Sequence, residues 1–354
     1  MPTGSYTTSR ANRPQRLNGS NRMYQLNLES KSIAKLDETT FKDLSMHECD
    51  LEEIIRHNVD LICGDEESML IIGQQVKNDR NARSDLTAID NNGDIVLIEL
   101  KRDKKDILSR KEPFEFQAIR YAAAYATLKS VDELIQNVFA PYVEKHKGEF
   151  STDAALTSSE LAARLLEDFI ERNEITALNE HQRIILVASE FDEQTLSAVA
   201  WLNRGGIDIG CYQVCLYLKE KDRAFLDMKK LLPVSQYEDF YIGISGNNIV
   251  LKDRPKRSRQ TLPNITAMMS WGIVNKGDLI GVKDKEDTAI LQEDGYVKTD
   301  RTGETISLQQ WLKRVMGWAS VDTYNFAVDM KTGKTLSRLR EEYMRNMQSG
   351  ESEG

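Results

Sequence analysis

The chain has 354 residues, 40% of them hydrophobic, which is enough to bury a core and at this length predicts about two domains. Its 29% of charged residues and the lack of any apolar run near ~18 residues predict a protein without a membrane span. The net charge of −9 argues against a protein that coats nucleic acid, but not against an enzyme with a local basic path. The four cysteines form no CxxC pair and no secretory signal is present, so we expect a reducing cytoplasm.

The N-terminal stretch, residues 1–25, is polar, contains arginines and lacks acidic residues. This composition predicts a disordered tail, and the alternative is an arm that contacts phosphates. Residues 47–62 carry apolar side chains at helical spacing, which predicts an amphipathic helix. The apolar run at residues 69–76 predicts an extended strand.

Two β-rich runs, residues 83–90 and 95–101, flank the dipeptide Asn92-Gly93. Both central residues of a tight hairpin turn must tolerate positive φ, and an Asn-Gly pair satisfies this requirement. The pattern predicts a β-hairpin in which residues near 85 lie across from residues near 99 and 100.

Helical and strand-like patterns alternate in the middle of the chain. We expect an alanine-rich helix at residues 114–129, mostly helical structure at 131–182, and strands at 183–191 and 207–218. Asp192 is the predicted N-cap of a helix between these two strands. The strand–helix–strand order is typical of an α/β fold.

A basic stretch with two prolines, residues 252–263, marks a change of composition and predicts a linker. It follows a first domain at residues 26–251. It precedes a small α+β domain at residues 264–346, in which a short helix, a β-meander, a second helix and an aromatic-rich end are expected. Residues 347–354 are a predicted disordered tail.

Charged residues end the otherwise apolar strand predicted at residues 95–101. Side chains alternate along a strand, so Glu99 and Lys101 share one face. A charged pair at the end of a buried strand costs free energy unless a site uses it. A surface ion pair is the alternative that this motif alone leaves open.

Asp85, on the partner strand of the predicted hairpin, changes that balance. Asp85 and Glu99 can approach within the span of one metal ion, and two close carboxylates imply a divalent cation or a shifted pKa. Oxygen ligands suit Mg²⁺ or Mn²⁺. Such a metal would lower the pKa of a bound water. Lys101 would orient or deprotonate that water, or stabilise the charge on the phosphorus.

The order of Asp85 and the ELK tripeptide at residues 99–101 resembles the D…(D/E)xK signature of the PD-(D/E)XK, or restriction-endonuclease-like, superfamily. More closely, residues 45–125 resemble the nuclease domain of NucS-like and RecB-like endonucleases, with a helix glutamate upstream and a QxxxY element downstream. The resemblance implies an α/β fold with a mixed central sheet flanked by helices. Many members of this family have a glycine where this chain has Ser84.

The resemblance also implies a role for each matching residue. The implied set consists of metal ligands Asp85, Glu99 and the Leu100 carbonyl, catalytic Lys101, metal-binding or metal-tuning Glu52, and Gln117, which holds the active site or the phosphate backbone. Glu48 and Glu53 are alternatives to Glu52. Glu48 and Glu52 share a helix face, so the sequence cannot separate them.

The C-terminal residues 265–330 resemble the restriction enzyme adenine methylase associated domain. This loose resemblance implies a DNA-reading module. Trp311, Trp318, Tyr324 and Phe326 are candidates for stacking on bases, although aromatic residues of a small domain more often form its core.

Taken together, these features predict a Mg²⁺- or Mn²⁺-dependent endonuclease that hydrolyses DNA in restriction, antiviral defence or repair. The predicted nucleic-acid contacts are Arg83, Tyr121, Lys252, Arg254, Lys256, Arg257 and Arg259. Two alternatives stay open, a catalytically retired nuclease fold that binds nucleic acid or assembles with other proteins, and a nuclease that acts on RNA. Enzymes that cut both strands commonly pair two active sites, so a homodimer or higher homo-oligomer is a further hypothesis, and no membrane partner is expected.

Overall fold

The computed structural model describes residues 23–77, 83–103, 113–128, 130–150, 156–220, 223–233 and 262–350. Two sets of predictions lie outside the described residues, the tail at residues 1–22 and the basic linker residues Lys252, Arg254, Lys256, Arg257 and Arg259. The chain divides into two compact units, Met1–Thr40 with Cys215–Asp227, and Phe41–Val214 with Met228–Gly354. No helix in the described ranges is long and apolar enough to cross a membrane.

The small unit contains three short strands, β1 (Tyr24–Leu26), β2 (Ile33–Lys35) and β3 (Asp37–Thr39). β1 and β2 pair antiparallel, and β3 pairs antiparallel with residues 216–218. Leu36 packs with Cys215 and Tyr217 in a small core. The predicted tail at residues 1–25 is therefore too long, because backbone pairing with β2 brings residues 24 and 25 into a strand.

The large unit has an α/β architecture around a mixed sheet. Its first strands are β4 (Met69–Lys77), β5 (Arg83–Asp90), β6 (Ile95–Lys101), β7 (Gln182–Ala188), β8 (Asp208–Glu220) and β9 (Arg223–Leu232), the last two being shared with the small unit. The strand order is β4-β5-β6-β7-β8, antiparallel from β4 to β6 and parallel from β6 to β8. All residues of β6 before Lys101 are buried, as expected for a strand covered on both faces.

Seven α-helices belong to this part of the large unit as described, besides a π-helix at Ile135–Phe139 and a 3-10 helix at Lys147–Glu149. They are α1 (Glu48–His57), α2 (Asp60–Cys63), α3 (Phe114–Tyr125), α4 (Val131–Leu134), α5 (Ala140–Lys145), α6 (Ser158–Arg172) and α7 (Glu193–Arg204). Asp192 caps α7 by accepting hydrogen bonds from the backbone N–H groups of Gln194 and Thr195, which confirms the predicted N-cap. The prediction of a single helix over residues 47–62 was wrong, because α1 ends at His57 and α2 begins at Asp60. At the end of α1, Asn58 donates its side-chain amide to the Ile54 carbonyl.

The C-terminal part of the large unit contains an antiparallel sheet and four helices. Its strands are β10 (Leu279–Val282), β11 (Thr288–Leu291), β12 (Tyr296–Thr299), β13 (Thr305–Ser307), β14 (Ala327–Asp329) and β15 (Lys334–Thr335). Its helices are α8 (Ile265–Ser270), α9 (Leu308–Met316), α10 (Thr323–Phe326) and α11 (Leu336–Gly350). The predicted meander is confirmed. The prediction of a disordered tail beginning at residue 347 was wrong, because α11 continues to Gly350.

The aromatic residues of this C-terminal part form its core. Trp311, Trp318, Tyr324 and Phe326 are each at most 5% exposed. The Trp318 ring packs edge-on against Phe326 with centroids 5.2 Å apart. Stacking of these side chains on bases is excluded by their burial, and the core interpretation is confirmed.

The C-terminal part packs directly on the loop that precedes β4. The Met69 N–H donates to the Ser320 carbonyl over 3.0 Å, and the N–H groups of Ala319 and Ser320 donate back to the Met69 carbonyl. Nearby, the Asp322 N–H donates to the Ser68 hydroxyl over 2.9 Å. These hydrogen bonds extend the β4 edge of the central sheet into the C-terminal part.

An ion pair adds to the same packing. The Arg340 guanidinium forms two hydrogen bonds with the Glu66 carboxylate, of 2.7 and 3.1 Å, and lies 4.3 Å from the centre of the Tyr324 ring. Trp318 also contacts Phe169 of α6, with ring centroids 4.8 Å apart. The C-terminal part is thus joined to the first part by backbone, charged and aromatic contacts.

Candidate active site

The hairpin of β5 and β6 sets the geometry of the candidate site. Leu86 pairs with Ile98, and the antiparallel register therefore places Asp85 opposite Glu99, as predicted. Within the turn only Gly93 has a positive φ, of 83°, so the expectation that Asn92 shares this conformation was wrong. A side chain at Gly93 would collide with the Ala177 carbonyl, and this close approach requires glycine.

Asp85 and Glu99 are locked to each other's strand by hydrogen bonds. The Leu100 N–H donates to Asp85 Oδ2 over 2.8 Å. In the opposite direction, the Asp85 N–H donates to Glu99 Oε1 over 3.4 Å. Each carboxylate is therefore oriented in part by the backbone of the neighbouring strand.

Burial makes this carboxylate pair costly in its charged form. Asp85 is 6% exposed and Glu99 is fully buried. Burial, followed by the charge of Asp85, raises the pKa of Glu99 well above its ordinary value. Burial also raises the pKa of Asp85, although Lys101 and the Leu100 N–H act against this shift. A nearby cation would relieve the remaining repulsion.

Lys101 supplies positive charge at the edge of this pair. Its Nζ donates to Glu48 Oε1 over 2.9 Å and to the Leu100 carbonyl over 2.7 Å, and lies 4.0 Å from Asp85 Oδ2. Burial alone would lower the pKa of Lys101, but the charges of Asp85 and Glu48 outweigh burial and raise it. The side chain is therefore an ammonium at neutral pH.

The Glu99→Gln variant tests the cost of this buried charge. We expect it to stabilise the metal-free protein at pH 8 by about 1 kcal/mol, in line with typical gains from relieving unfavourable surroundings. The pKa of Glu99 is raised in the folded state, so protonation favours folding, and this contribution is lost as the pH rises through the raised pKa. Thermal unfolding in EDTA should show the gain at pH 8 and a smaller one at pH 5.

A matched control for this measurement is Glu341→Gln, since Glu341 is exposed on α11. The control should unfold like the wild type at both pH values. A Glu99→Gln protein less stable than the wild type at pH 8 would show that the carboxylate is favourably paired in its charged form.

Helix α1 separates the three glutamates that the sequence left as alternatives. Glu48 contacts Lys101, and Glu52, only 3% exposed, accepts a hydrogen bond of 2.6 Å from Gln75. Glu53 faces elsewhere and accepts two hydrogen bonds from Arg56. Glu48 and Glu52 therefore lie on the side of α1 that faces the site, and Glu53 belongs to a structural ion pair.

Gln75 on β4 is a residue that the sequence analysis missed. The same side-chain nitrogen that contacts Glu52 also donates to Asp85 Oδ1 over 3.3 Å. Gly73, an isolated glycine within a strand pattern, was the available signal, because such a glycine often marks a bulge.

Helix α3 brings the QxxxY pair to the opposite end of Glu99. Gln117 Nε2 donates to Glu99 Oε2 at 3.5 Å, a long hydrogen bond, and to the Tyr121 hydroxyl over 3.3 Å. Tyr121 is 7% exposed, so it offers little surface to a nucleic acid and acts to hold Gln117. Thr195 at the start of α7 donates to Glu115 over 3.0 Å and helps to fix α3.

Arg83 is a further residue that the sequence predicts to contact nucleic acid. Arg83 is exposed at the start of β5, two residues before Asp85. In the part of the chain that the structure describes, no three His, Cys, Asp or Glu side chains are grouped to hold a metal ion. A metal would thus rely on Asp85, Glu99 and the Leu100 carbonyl, a hard oxygen set whose repelling carboxylates fit a divalent cation.

No protein-family model matches this chain, and a comparison with curated proteins returns no match. The function that can be proposed therefore rests on the residues of the site and their geometry.

Proposed function

We propose that the chain is a metal-dependent endonuclease that hydrolyses phosphodiester bonds in DNA. The observation that carries this proposal is the buried pair of Asp85 and Glu99 on adjacent strands, with the Lys101 ammonium 4.0 Å from Asp85. A buried carboxylate pair beside a lysine has no evident structural purpose at the end of an apolar strand, whereas metal-assisted phosphodiester hydrolysis can use these groups together.

The oxygen atoms of Asp85, Glu99 and Leu100 would hold Mg²⁺ or Mn²⁺. When bound, the metal would lower the pKa of a water molecule and neutralise charge on the scissile phosphate. Glu52 would tune the site through Gln75, which contacts both Glu52 and Asp85. Gln117 would keep Glu99 oriented through its long hydrogen bond to that carboxylate.

The raised pKa of Lys101 favours one of the roles that the sequence left open for it. An ammonium whose pKa is raised by Asp85 and Glu48 is a poor base at neutral pH. It is well suited to orienting a nucleophilic water or to stabilising negative charge that develops on the phosphate oxygens. We therefore assign Lys101 an electrostatic role rather than that of a general base.

The architecture supports membership of the restriction-endonuclease-like class. The antiparallel strands β4 to β6 carry the candidate residues, and the parallel strands β7 and β8 complete a mixed sheet with helices packed against it. The C-terminal part, with its likeness to the restriction enzyme adenine methylase associated domain, would contribute to DNA recognition. This combination supports a role in restriction, antiviral defence or repair.

Cleavage of supercoiled plasmid, single-stranded circular DNA and RNA in the presence of Mg²⁺ or Mn²⁺ tests the function. We expect the wild type to cut DNA, and Asp85→Asn to be inactive because it loses one of the two buried carboxylates. Cleavage of RNA alone would overturn the substrate class. Full activity of Asp85→Asn, or no nuclease activity on any substrate, would overturn the proposal.

A second pair of variants tests which glutamate of α1 serves the site. Glu52→Gln should lower the rate of cleavage at least about tenfold, the usual scale for groups that support a metal site. Glu53→Gln should retain activity because Glu53 pairs with Arg56, which keeps its hydrogen bonds to Glu149. The cleavage rates of the two variants are compared at the same Mg²⁺ concentration. Equal losses of cleavage rate in both variants would contradict the assignment of Glu52 to the site.

A further inference from the structure

Strand β4 is irregular where it passes the candidate site. Its pairing with β5 shifts register between Ile71 and Gly73, which is a β-bulge or a related irregularity. Two residues further on, Gln75 has a φ of 54°. This left-handed conformation is rare for a residue other than glycine, asparagine or aspartate.

The irregular backbone gives Gln74 and Gln75 an unusual arrangement. In a regular strand, neighbouring side chains point to opposite faces. Here both side chains reach the same helix, Gln74 donating to Glu53 over 2.5 Å and Gln75 donating to Glu52 over 2.6 Å. The positive φ at Gln75 accounts for this departure from alternation.

Glycine at position 73 makes the distortion sterically feasible. A side chain there would lie 2.6 Å from the Val76 side chain and 3.0 Å from that of Val138. Bulges often redirect side chains next to active sites. The irregularity of β4 therefore accompanies the placement of the Gln75 amide between the carboxylates of Glu52 and Asp85.

We propose that Gln75 is a positioning residue of the metal site, whose side-chain amide holds Glu52 and Asp85 in the arrangement that binds the cation. This inference rests on the proposed function. One amide nitrogen contacts both carboxylates, at 2.6 Å for Glu52 and 3.3 Å for Asp85. Without the amide, two buried acidic groups face each other with no shared donor, and mutual repulsion would move them apart.

The left-handed backbone at Gln75 supports a site-specific purpose. Residues in sparsely populated conformations persist where the surrounding structure holds them, and they are concentrated at functional sites. Glycine adopts this conformation without steric cost. The presence of glutamine instead of glycine at this position thus indicates that the glutamine side chain is needed there.

Titration calorimetry of the full chain with MnCl₂ tests the proposal without relying on activity. Gln75→Gly removes the amide and adopts a φ of 54° easily, so it should fold as the wild type does. We expect its Mn²⁺ affinity to fall about 10–100-fold, the usual effect of removing a group that orients metal ligands. Gln75→Ala should show the same loss, and circular dichroism will verify that both variants are folded.

Gln74→Ala is the matched control because Gln74 is the adjacent glutamine. It also interacts with Glu52, but its 2.5 Å hydrogen bond goes to Glu53, whereas Gln75 joins Glu52 to Asp85. Gln74→Ala should therefore lose clearly less Mn²⁺ affinity than Gln75→Gly. Unchanged affinity in folded Gln75→Gly, or an equal loss in Gln74→Ala, would overturn the positioning role. If the wild type itself binds no Mn²⁺, the metal site of the proposed function fails instead.

Discussion

Replacement of Lys101 by methionine is expected to slow phosphodiester cleavage by about a thousandfold, within the range found for removal of one group that stabilises transition-state charge. Methionine keeps the aliphatic stem, so packing near Phe114, whose ring centre lies 5.8 Å from Nζ, is largely preserved. Single-turnover cleavage rates at saturating Mg²⁺ measure the effect directly.

Metal binding should respond to the same substitution in the opposite sense. The Lys101 ammonium donates to the Leu100 carbonyl and lies near Asp85, so it competes with a cation for these oxygen atoms. Lys101→Met should therefore bind Mn²⁺ at least as tightly as the wild type does in calorimetry. This separation of rate from binding distinguishes an electrostatic role in the reaction from a structural role in the site.

The control for Lys101 is Lys35→Met, which alters an exposed lysine of the small unit. It should retain both the cleavage rate and Mn²⁺ affinity of the wild type. A Lys101→Met enzyme with near wild-type rates would contradict the assigned role, as would a loss of activity that is explained entirely by weaker Mn²⁺ binding.

Arg340→Ala should cause the largest loss of stability among the substitutions considered. Arg340 is 2% exposed, pairs with Glu66 and lies over the Tyr324 ring. Truncating one partner of a buried ion pair typically costs 3–5 kcal/mol, and since Glu66 is 35% exposed we expect about 3 kcal/mol. Chemical denaturation, followed by circular dichroism, gives the free energy of unfolding.

Arg338 offers a matched control on the same helix. Its side chain is 69% exposed and pairs with Glu342 at 3.3 Å. Exposed ion pairs contribute about 0–1 kcal/mol, so Arg338→Ala should unfold close to the wild type. A change below about 1 kcal/mol in Arg340→Ala would show that the contact with Glu66 contributes little to joining the C-terminal part to the first part.

Local sequence patterns predicted the elements around the site because their causes are local. Alternating side chains place Glu99 and Lys101 on one face of a strand. The short turn at Asn92-Gly93 brings Asp85 opposite Glu99, and the observed register of β5 and β6 agrees. The N-cap at Asp192 was equally predictable, because a cap acts on backbone groups within three residues.

In two places where local patterns predicted wrongly, a contact from outside the segment is involved. Residues 24 and 25 join a strand because β2 pairs with them, although their composition resembles that of the polar tail. Gly93 alone takes a positive φ in the hairpin turn, where the Ala177 carbonyl leaves no room for a side chain.

The sequence by itself thus determined the hairpin, and with it the grouping of Asp85, Glu99 and Lys101, since a short turn and strand alternation are sufficient to bring them together. Only the tertiary structure separated Glu52 from Glu53, because Glu52 accepts from Gln75, which also reaches Asp85, whereas Glu53 accepts from Gln74 and Arg56. It alone showed Gln75 between Glu52 and Asp85, and Arg340 against Glu66. These contacts join residues from separate elements, and no local pattern in the chain encodes their meeting.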